Sequence, residues 1–235
     1  MTMADLHRFP DGDTLTRDLA AEIVGRLTDA VKAHGVASLV CAGGTTPGEL
    51  YEAMSALDAP WSRIMVTASD ERWAPPDSEA SNERLVRQTL LQNKAAAARY
   101  VPLRTDDPTP EAAEDAVNAT VAAMRRPFDV TLIGMGTDLH IASLCPEAEG
   151  LEAAMDVSSP ALVHAIRAKS GAGSNIRMTL TLRALLESEV ILLLIRGEAK
   201  LKAYREALAG EDVLEGPVRG VLHQAITPVH VYWSP

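Results

Sequence analysis

The sequence predicts an α/β fold, a single Rossmann-like domain over residues 1–235 with a mostly parallel sheet and helices on both faces. Strand-like apolar runs alternate with segments of helical period along the chain, the signature of parallel strands joined by helical crossovers. Glycine-containing turns stand directly after two of those runs, at Gly43-Gly44 and Gly134-Met135-Gly136. The length of 235 residues, with 47% hydrophobic and 23% charged residues, supplies one substantial core and excludes a disordered or fibrous chain.

The elements follow in order. Leu15, Leu19, Ile23, Val24, Leu27 and Val31 recur at three- and four-residue spacing, so Leu15 to Val31 reads as an amphipathic helix. Val36 to Cys41 is a short β-leaning run ending in Gly43-Gly44-Thr45-Thr46-Pro47, after which Leu50, Tyr51 and Met54 resume helical spacing, with Pro47 suited to the first helical position. Arg63 to Ala68 reads as a strand, and Ser81 to Leu91 and Glu111 to Met124 as helices; Ala95 to Ala98 continues or caps a helix. Phe128 to Ile133 is a strand running into Gly134. Apolar runs at Leu162 to Ile166 and Val190 to Ile195, a helix at Glu198 to Leu208 and a strand at Val229 to Trp233 complete the alternation. Ser170 to Ser174 reads as a mobile loop, and no repeat or linker divides the chain.

Charge and composition narrow the function. With 22 Lys and Arg against 32 Asp and Glu the net charge is −10, and aromatics make up only 4%, so neither a phosphate-neutralising surface nor base-stacking rings are available and nucleic acid is not expected. Cys41 and Cys145 form neither a CxxC pair nor a metal-ligand spacing, which points to a reducing compartment. Residues Met1 to Pro10 contain no apolar targeting segment and no uncharged run approaches the roughly 18 residues of a membrane span. A cytoplasmic protein with no membrane partner is expected, as a monomer or small homo-oligomer.

Ligands of parallel sheets bind beyond the carboxyl ends of the strands, so the segments after them are where chemistry is expected. In Ala42 to Pro47 the glycines permit a tight turn with N–H groups free for an anion, although the segment is neither a Walker A loop nor a GxGxxG fingerprint and is as readily an ordinary strand-to-helix turn. In Ser69-Asp70-Glu71-Arg72-Trp73, Arg72 could hold a phosphate and Asp70 or Glu71 bind hydroxyls; a solvated charged turn with Ser81 as helix N-cap is the plainer alternative. In Gly134 to Pro146, His140 stands two residues after Asp138 and is placed to act as a general base, although a lone histidine is more often structural. The GxSxG and HExxH patterns are absent, so Ser143 is a poor nucleophile and no metal or other cofactor is implied. His164 and His230 read as packing or edge residues, and His7, His34 and His223 as surface or loop positions. Arg167, Lys169 and Arg177 flank the Ser170 to Ser174 loop and could complete a cationic pocket for a phosphorylated ligand.

Five segments in succession (AGGTTPGELYEAM, DERWAPPDSEASNERLV, FDVTLIGMGTDLHIASLCPEAEGL, RMTLTLRALLESEVILLLIRGEAK and PVRGVLHQAITPVHVYW) resemble the 6-phosphogluconolactonase family in order and spacing, from about Ser38 to Trp233. The resemblance implies the α/β fold shared with glucosamine-6-phosphate deaminases and ribose-5-phosphate isomerases. It also implies hydrolysis of 6-phospho-D-glucono-1,5-lactone to 6-phosphogluconate in the oxidative pentose phosphate pathway. It assigns Gly43, Gly44 and Thr45 to substrate binding, Arg72 to the phosphate and His140 to catalysis. A family lysine before Arg-Ile-Thr-Leu-Thr has Lys169 as its nearest counterpart, with Arg167 as a replacement. The family's Asp-Gly-His-Thr-Ala-Ser-Leu-Phe-Pro reads here as Asp138 to Pro146 with Leu139 for glycine, Ile141 for threonine and Cys145 for phenylalanine. Leu139 alters the backbone path beside the base if that glycine had positive φ.

The expected mechanism has His140 activate water for attack on C1, with Asp138 orienting it and turn N–H groups at Gly134 to Gly136 or Gly43 to Gly44 holding the oxyanion. Two alternatives remain. One is a deaminase or isomerase in which Asp70 abstracts a carbon-bound proton; the deaminases share His-Ile-Ala but continue Phe-Asn-Glu-Pro, unlike Ser143 to Pro146. The other is a non-catalytic sugar-phosphate sensor.

Overall fold

The computed structural model describes residues 4–169 and 174–235. It opens on β1 (Asp5–Arg8), a strand that the apolar pattern does not reveal because Leu6 is its one aliphatic residue. The helix α1 (Gly12–His34) follows, capped by Asp11, whose carboxylate accepts from the Thr14 N–H at 2.7 Å. Its Leu15, Leu19, Ile23 and Leu27 are fully buried. At about 1.5–3 kcal/mol for each buried aliphatic side chain, this stripe is what holds the helix to the sheet.

The strands β2 (Ala37–Cys41) and β3 (Ile64–Ala68) flank α2 (Gly48–Ser55), and Pro47 is the residue before that helix rather than its first. After β4 (Asp70–Arg72) come α3 (Asn82–Thr89), a 3₁₀ turn at Asn93–Ala97, β5 (Arg99–Tyr100) and α4 (Pro110–Ala122). Next are β6 (Val130–Gly134), α5 (Leu151–Met155), β7 (Val163–Arg167), β8 (Ile176–Leu180) and α6 (Leu182–Leu186). The chain ends with β9 (Ile191–Arg196), α7 (Gly197–Ala209), α8 (Arg219–Leu222) and β10 (Val229–Ser234).

Among the described residues the main sheet has the order β1-β10-β9-β6-β2-β3-β5, and its pairings are parallel. Its central strands are apolar on both faces because successive side chains alternate. Leu192 and Leu194 of β9 join the core under α1 and α2, while Ile191, Leu193 and Ile195 join the core beneath α4, α6 and α7.

Two expectations about the sheet are corrected. The segment around Asp70 to Arg72 is a strand, not a charged turn, and pairs antiparallel with β8; β7, expected in a parallel sheet, pairs antiparallel with β8 on its other side. This β4-β8-β7 sheet escaped the period-two pattern because Asp70, Glu71 and Arg177 are buried polar residues within it. Ser81 is nevertheless the N-cap of α3, accepting from the Arg84 N–H at 3.1 Å. Apart from Ser174, the expected loop at Ser170 to Ser174 lies outside the described residues.

The topology locates the site. The chain leaves β2 toward β3 and β5, then returns to place β6 and β9 on the other side of β2. The sheet therefore reverses its winding between β2 and β6, and the loops beyond their carboxyl ends part to form a crevice.

Candidate active site

The crevice is a cleft of about 230 Å³ lined by the Ala42–Pro47 loop after β2, by Ser69, Asp70 and Arg72, by Gly134, Met135 and His140 after β6, and by Arg196 and Lys200 after β9. Tyr51 anchors the first loop from α2, its hydroxyl donating to the Ala42 carbonyl at 2.7 Å. Gly43 lies so close to Asn82 that a Cβ there would stand 2.4 Å from the amide, and Gly44 adopts φ +86°, so a side chain is excluded at the first position and strained at the second. The loop leads into the N-terminus of α2, where unpaired N–H groups favour an anion.

The second wall is a buried polar network. Asp70 is 4% exposed, and its carboxylate accepts from the Ser143 hydroxyl at 2.5 Å, the Ser69 hydroxyl at 3.2 Å and the Asn82 amide at 3.2 Å. Neighbouring Glu71 accepts from the Asn82 and Glu83 N–H groups at 2.8 and 2.7 Å, tying β4 to the start of α3; burial raises its pKa and these donors oppose the rise. Arg72 donates to the Ala80 carbonyl and the Asn82 amide oxygen, both at 2.8 Å, while its buried Nε has no hydrogen-bond partner among the described residues. A buried donor on a cleft-lining guanidinium suits an anionic acceptor.

The third wall carries the titratable pair. His140 Nδ1 lies 2.6 Å from Asp138 Oδ1. This hydrogen bond from the histidine holds the Asp138 carboxyl down to about 2, against the opposing effect of burial. Asp138 is therefore ionised at neutral pH, and the shared proton resides on Nδ1. The other ring nitrogen, Nε2, is then the basic one whenever the ring is neutral. The loop is drawn tight by the Gly136 N–H donating to the His140 carbonyl at 2.9 Å, with Leu139 at φ +69° and Ala142 at φ +50°. The left-handed conformation suspected at Leu139 is thus present on a leucine.

Of the residues singled out in the sequence, Gly43, Gly44, Thr45, Asp70, Arg72 and His140 line one cleft, and Asp138 joins it through His140. Arg167 and Lys169 are not brought there. Arg167 donates to Glu111 at 2.7 Å and Lys169 to Glu147 at 3.0 Å, both exposed, because β7 runs in the small antiparallel sheet and carries its carboxyl end away from the cleft lining. Arg177 is buried with its guanidinium against the Ser174 carbonyl and Ser143 hydroxyl.

The cation that sequence reasoning missed is Lys200, in the first turns of α7, whose ammonium donates to the Met135 carbonyl. Burial lowers its pKa from 10.5, with the Asp138 charge pulling the other way. Applying the strand-end search to β9, where Arg196-Gly197 opens α7, would have found it. Neither cysteine offers a thiolate: burial pushes Cys41 to about 12 and Cys145 to about 11. Ser143 is fully buried and engaged with Asp70.

Residues 10–233 match the family model described as glucosamine-6-phosphate isomerases/6-phosphogluconolactonase. The chain belongs to this family. It is 38% identical over 232 residues to a 6-phosphogluconolactonase of Rhizobium meliloti (strain 1021), covering 99% of each chain. It is 39% identical over 219 residues to one of Pseudomonas aeruginosa, covering 93% of this chain and 90% of the other. The crystal structure of a 6-phosphogluconolactonase from Shewanella baltica OS155 superposes with a TM-score of 0.94 at 40% identity, over 99% of this chain and 98% of that one.

Proposed function

We infer that the cleft hydrolyses 6-phospho-D-glucono-1,5-lactone to 6-phosphogluconate, the lactone-opening step of the oxidative pentose phosphate pathway. The observation that carries the chemistry is the Asp138–His140 pair at 2.6 Å, with His140 lining the same cleft as Arg72, Lys200 and the loop that leads into α2. The near-full-length identity to named 6-phosphogluconolactonases supports the substrate.

In this reading Arg72, Lys200 and the N–H groups of the Gly43–Thr45 loop hold the phosphate. That remote binding fixes C1 beside His140. Nε2 removes a proton from water while Asp138 stabilises the imidazolium that results. The hydroxide adds to C1, and collapse of the tetrahedral intermediate breaks the bond from C1 to the ring oxygen, which leaves as the C5 hydroxyl with the proton returned by His140. The chain's own groups supply each proton transfer. Gly136 N–H is committed to the His140 carbonyl and so is already taken as a donor for the oxyanion.

The deaminase alternative needs Asp70 as a base. Its carboxylate is buried and accepts from Ser143, Ser69 and Asn82, which favours a structural task. A single domain in the cytoplasm accords with the buried free thiols Cys41 and Cys145, and among the described residues no helix is long and apolar enough to cross a membrane. The cleft is built within one chain, so a monomer suffices for the reaction and a small homo-oligomer is compatible with it.

Parallel assays test the substrate assignment. Freshly prepared 6-phosphogluconolactone should be consumed well above its spontaneous rate, and glucosamine 6-phosphate should release no ammonia; the reverse pattern would transfer the site to deaminase chemistry. Thermal stabilisation by 6-phosphogluconate without turnover would favour the sensor.

A further inference from the structure

At one edge of the main sheet, β1 and β10 bring together a cluster that the lactonase reaction does not use. Their parallel register pairs Asp5 with His230 and His7 with Tyr232. Because side chains alternate along a strand, Asp5 and His7 share one face of β1, and His230 and Tyr232 share the adjoining face of β10. His7 Nε2 lies 3.2 Å from His230 Nδ1 and 4.0 Å from Asp5 Oδ2, and the three donor atoms all fall within 4.8 Å of one another. None of the three residues lines the cleft.

We propose that Asp5, His7 and His230 form a binding site for a divalent transition-metal ion of the zinc class, which clips the edge strand β1 to β10. Two imidazoles and one carboxylate are a donor set suited to Zn²⁺ and its neighbours, with water completing the coordination. Metal–nitrogen bonds of 2.0–2.1 Å at a tetrahedral angle place two donors roughly 3.3 Å apart, close to the observed imidazole separation. Asp5 is the outermost ligand, with its side chain 73% exposed, and has the rotamer freedom to shorten its 4.0 Å distance.

The surroundings hold the ring of His7 in place. It stacks on Tyr232 with centroids 4.9 Å apart and planes 19° from parallel, and the Tyr232 hydroxyl donates to Glu22 of α1 at 2.6 Å. Glu22 also pairs with Arg26 of the same helix at 2.9 Å. A plain hydrogen bond between the two rings is the competing account, and it requires no metal.

The test uses the full chain stripped with a chelator and titrated with Co²⁺, then Zn²⁺. A single Co²⁺ per chain should give visible d–d absorption that Zn²⁺ displaces, and Zn²⁺ should raise the melting temperature. His7→Gln and His230→Gln should each weaken metal binding by roughly tenfold or more while keeping wild-type lactone hydrolysis, which also reports that they fold. Equal Co²⁺ binding in wild type and both variants, no binding in the wild type, or binding abolished only by His140→Ala would each overturn the proposal. The last of these would place the ion in the cleft instead.

Discussion

Gly136 and His140 are joined both by a hydrogen bond and by the lack of a side chain. The Gly136 N–H donates to the His140 carbonyl at 2.9 Å, and a Cβ on Gly136 would stand 2.2 Å from His140 Nδ1 and 2.0 Å from Asp138 Oδ1. The glycine is therefore the floor on which the titratable pair rests. Gly136→Ala should push the pair apart and lower kcat by about 100-fold or more, within the range a positioned base contributes. Binding of 6-phosphogluconate, measured by calorimetry, should change much less because Arg72 and the Gly43–Thr45 loop belong to other strand ends. Equal losses in kcat and affinity would mean that the whole loop had collapsed.

Leu139 adopts φ +69° while burying its side chain beside Gly216 and accepting from the Val218 N–H at 3.0 Å. The left-handed conformation costs a residue with a Cβ about 1–2 kcal/mol, which glycine escapes. Leu139→Gly and Leu139→Ala both lose the packing, but alanine keeps the strain. The glycine variant should therefore be the more stable of the two by about 1 kcal/mol in urea denaturation. Alanine proving the more stable would show that the loop is relaxed at this position.

Ser143 donates to Asp70 at 2.5 Å in a fully buried setting. Ser143→Ala leaves one carboxylate oxygen without that donor and should destabilise the fold by about 1–3 kcal/mol. The same variant should retain lactone hydrolysis, since the hydroxyl has no nucleophilic task in the mechanism above. Loss of activity with unchanged stability would contradict that division of roles.

Lys200 supplies a pH signature. Its pKa is lowered from 10.5 by burial, so between the lowered value and 10.5 part of the free protein carries a neutral amine. A bound phosphate stabilises the ammonium, and binding in that window must take up a proton. Calorimetry of 6-phosphogluconate binding at alkaline pH, in buffers of different ionisation enthalpy, should show this uptake in the wild type and not in Lys200→Arg. No uptake in either would remove Lys200 from the phosphate site.

The main sheet and the first and third walls of the cleft were legible because their signals are local. Val36 to Cys41 and Phe128 to Ile133 announce buried parallel strands, the glycines after them announce turns, and His140 lies two residues from its partner Asp138. The small sheet was hidden because Asp70, Glu71 and Arg177 are buried polar residues on strands far apart in sequence, and buried polar residues leave no period-two apolar pattern. Arg167 and Lys169 flank a glycine-containing segment in sequence, yet Glu111 and Glu147 hold them elsewhere. Lys200 was missed for the converse reason: it enters the cleft from a strand end 60 residues beyond His140, where only the three-dimensional order of β2, β6 and β9 makes the ends neighbours.

The most direct test of the account compares hydrolysis of freshly generated 6-phosphogluconolactone by the wild type and His140→Ala near neutral pH, each corrected for the spontaneous reaction. The account predicts a fall in kcat of about 100- to 10,000-fold in the variant with 6-phosphogluconate affinity largely kept. A variant that turns over at the wild-type rate would contradict it, because Asp138 would then be orienting a ring that takes no proton.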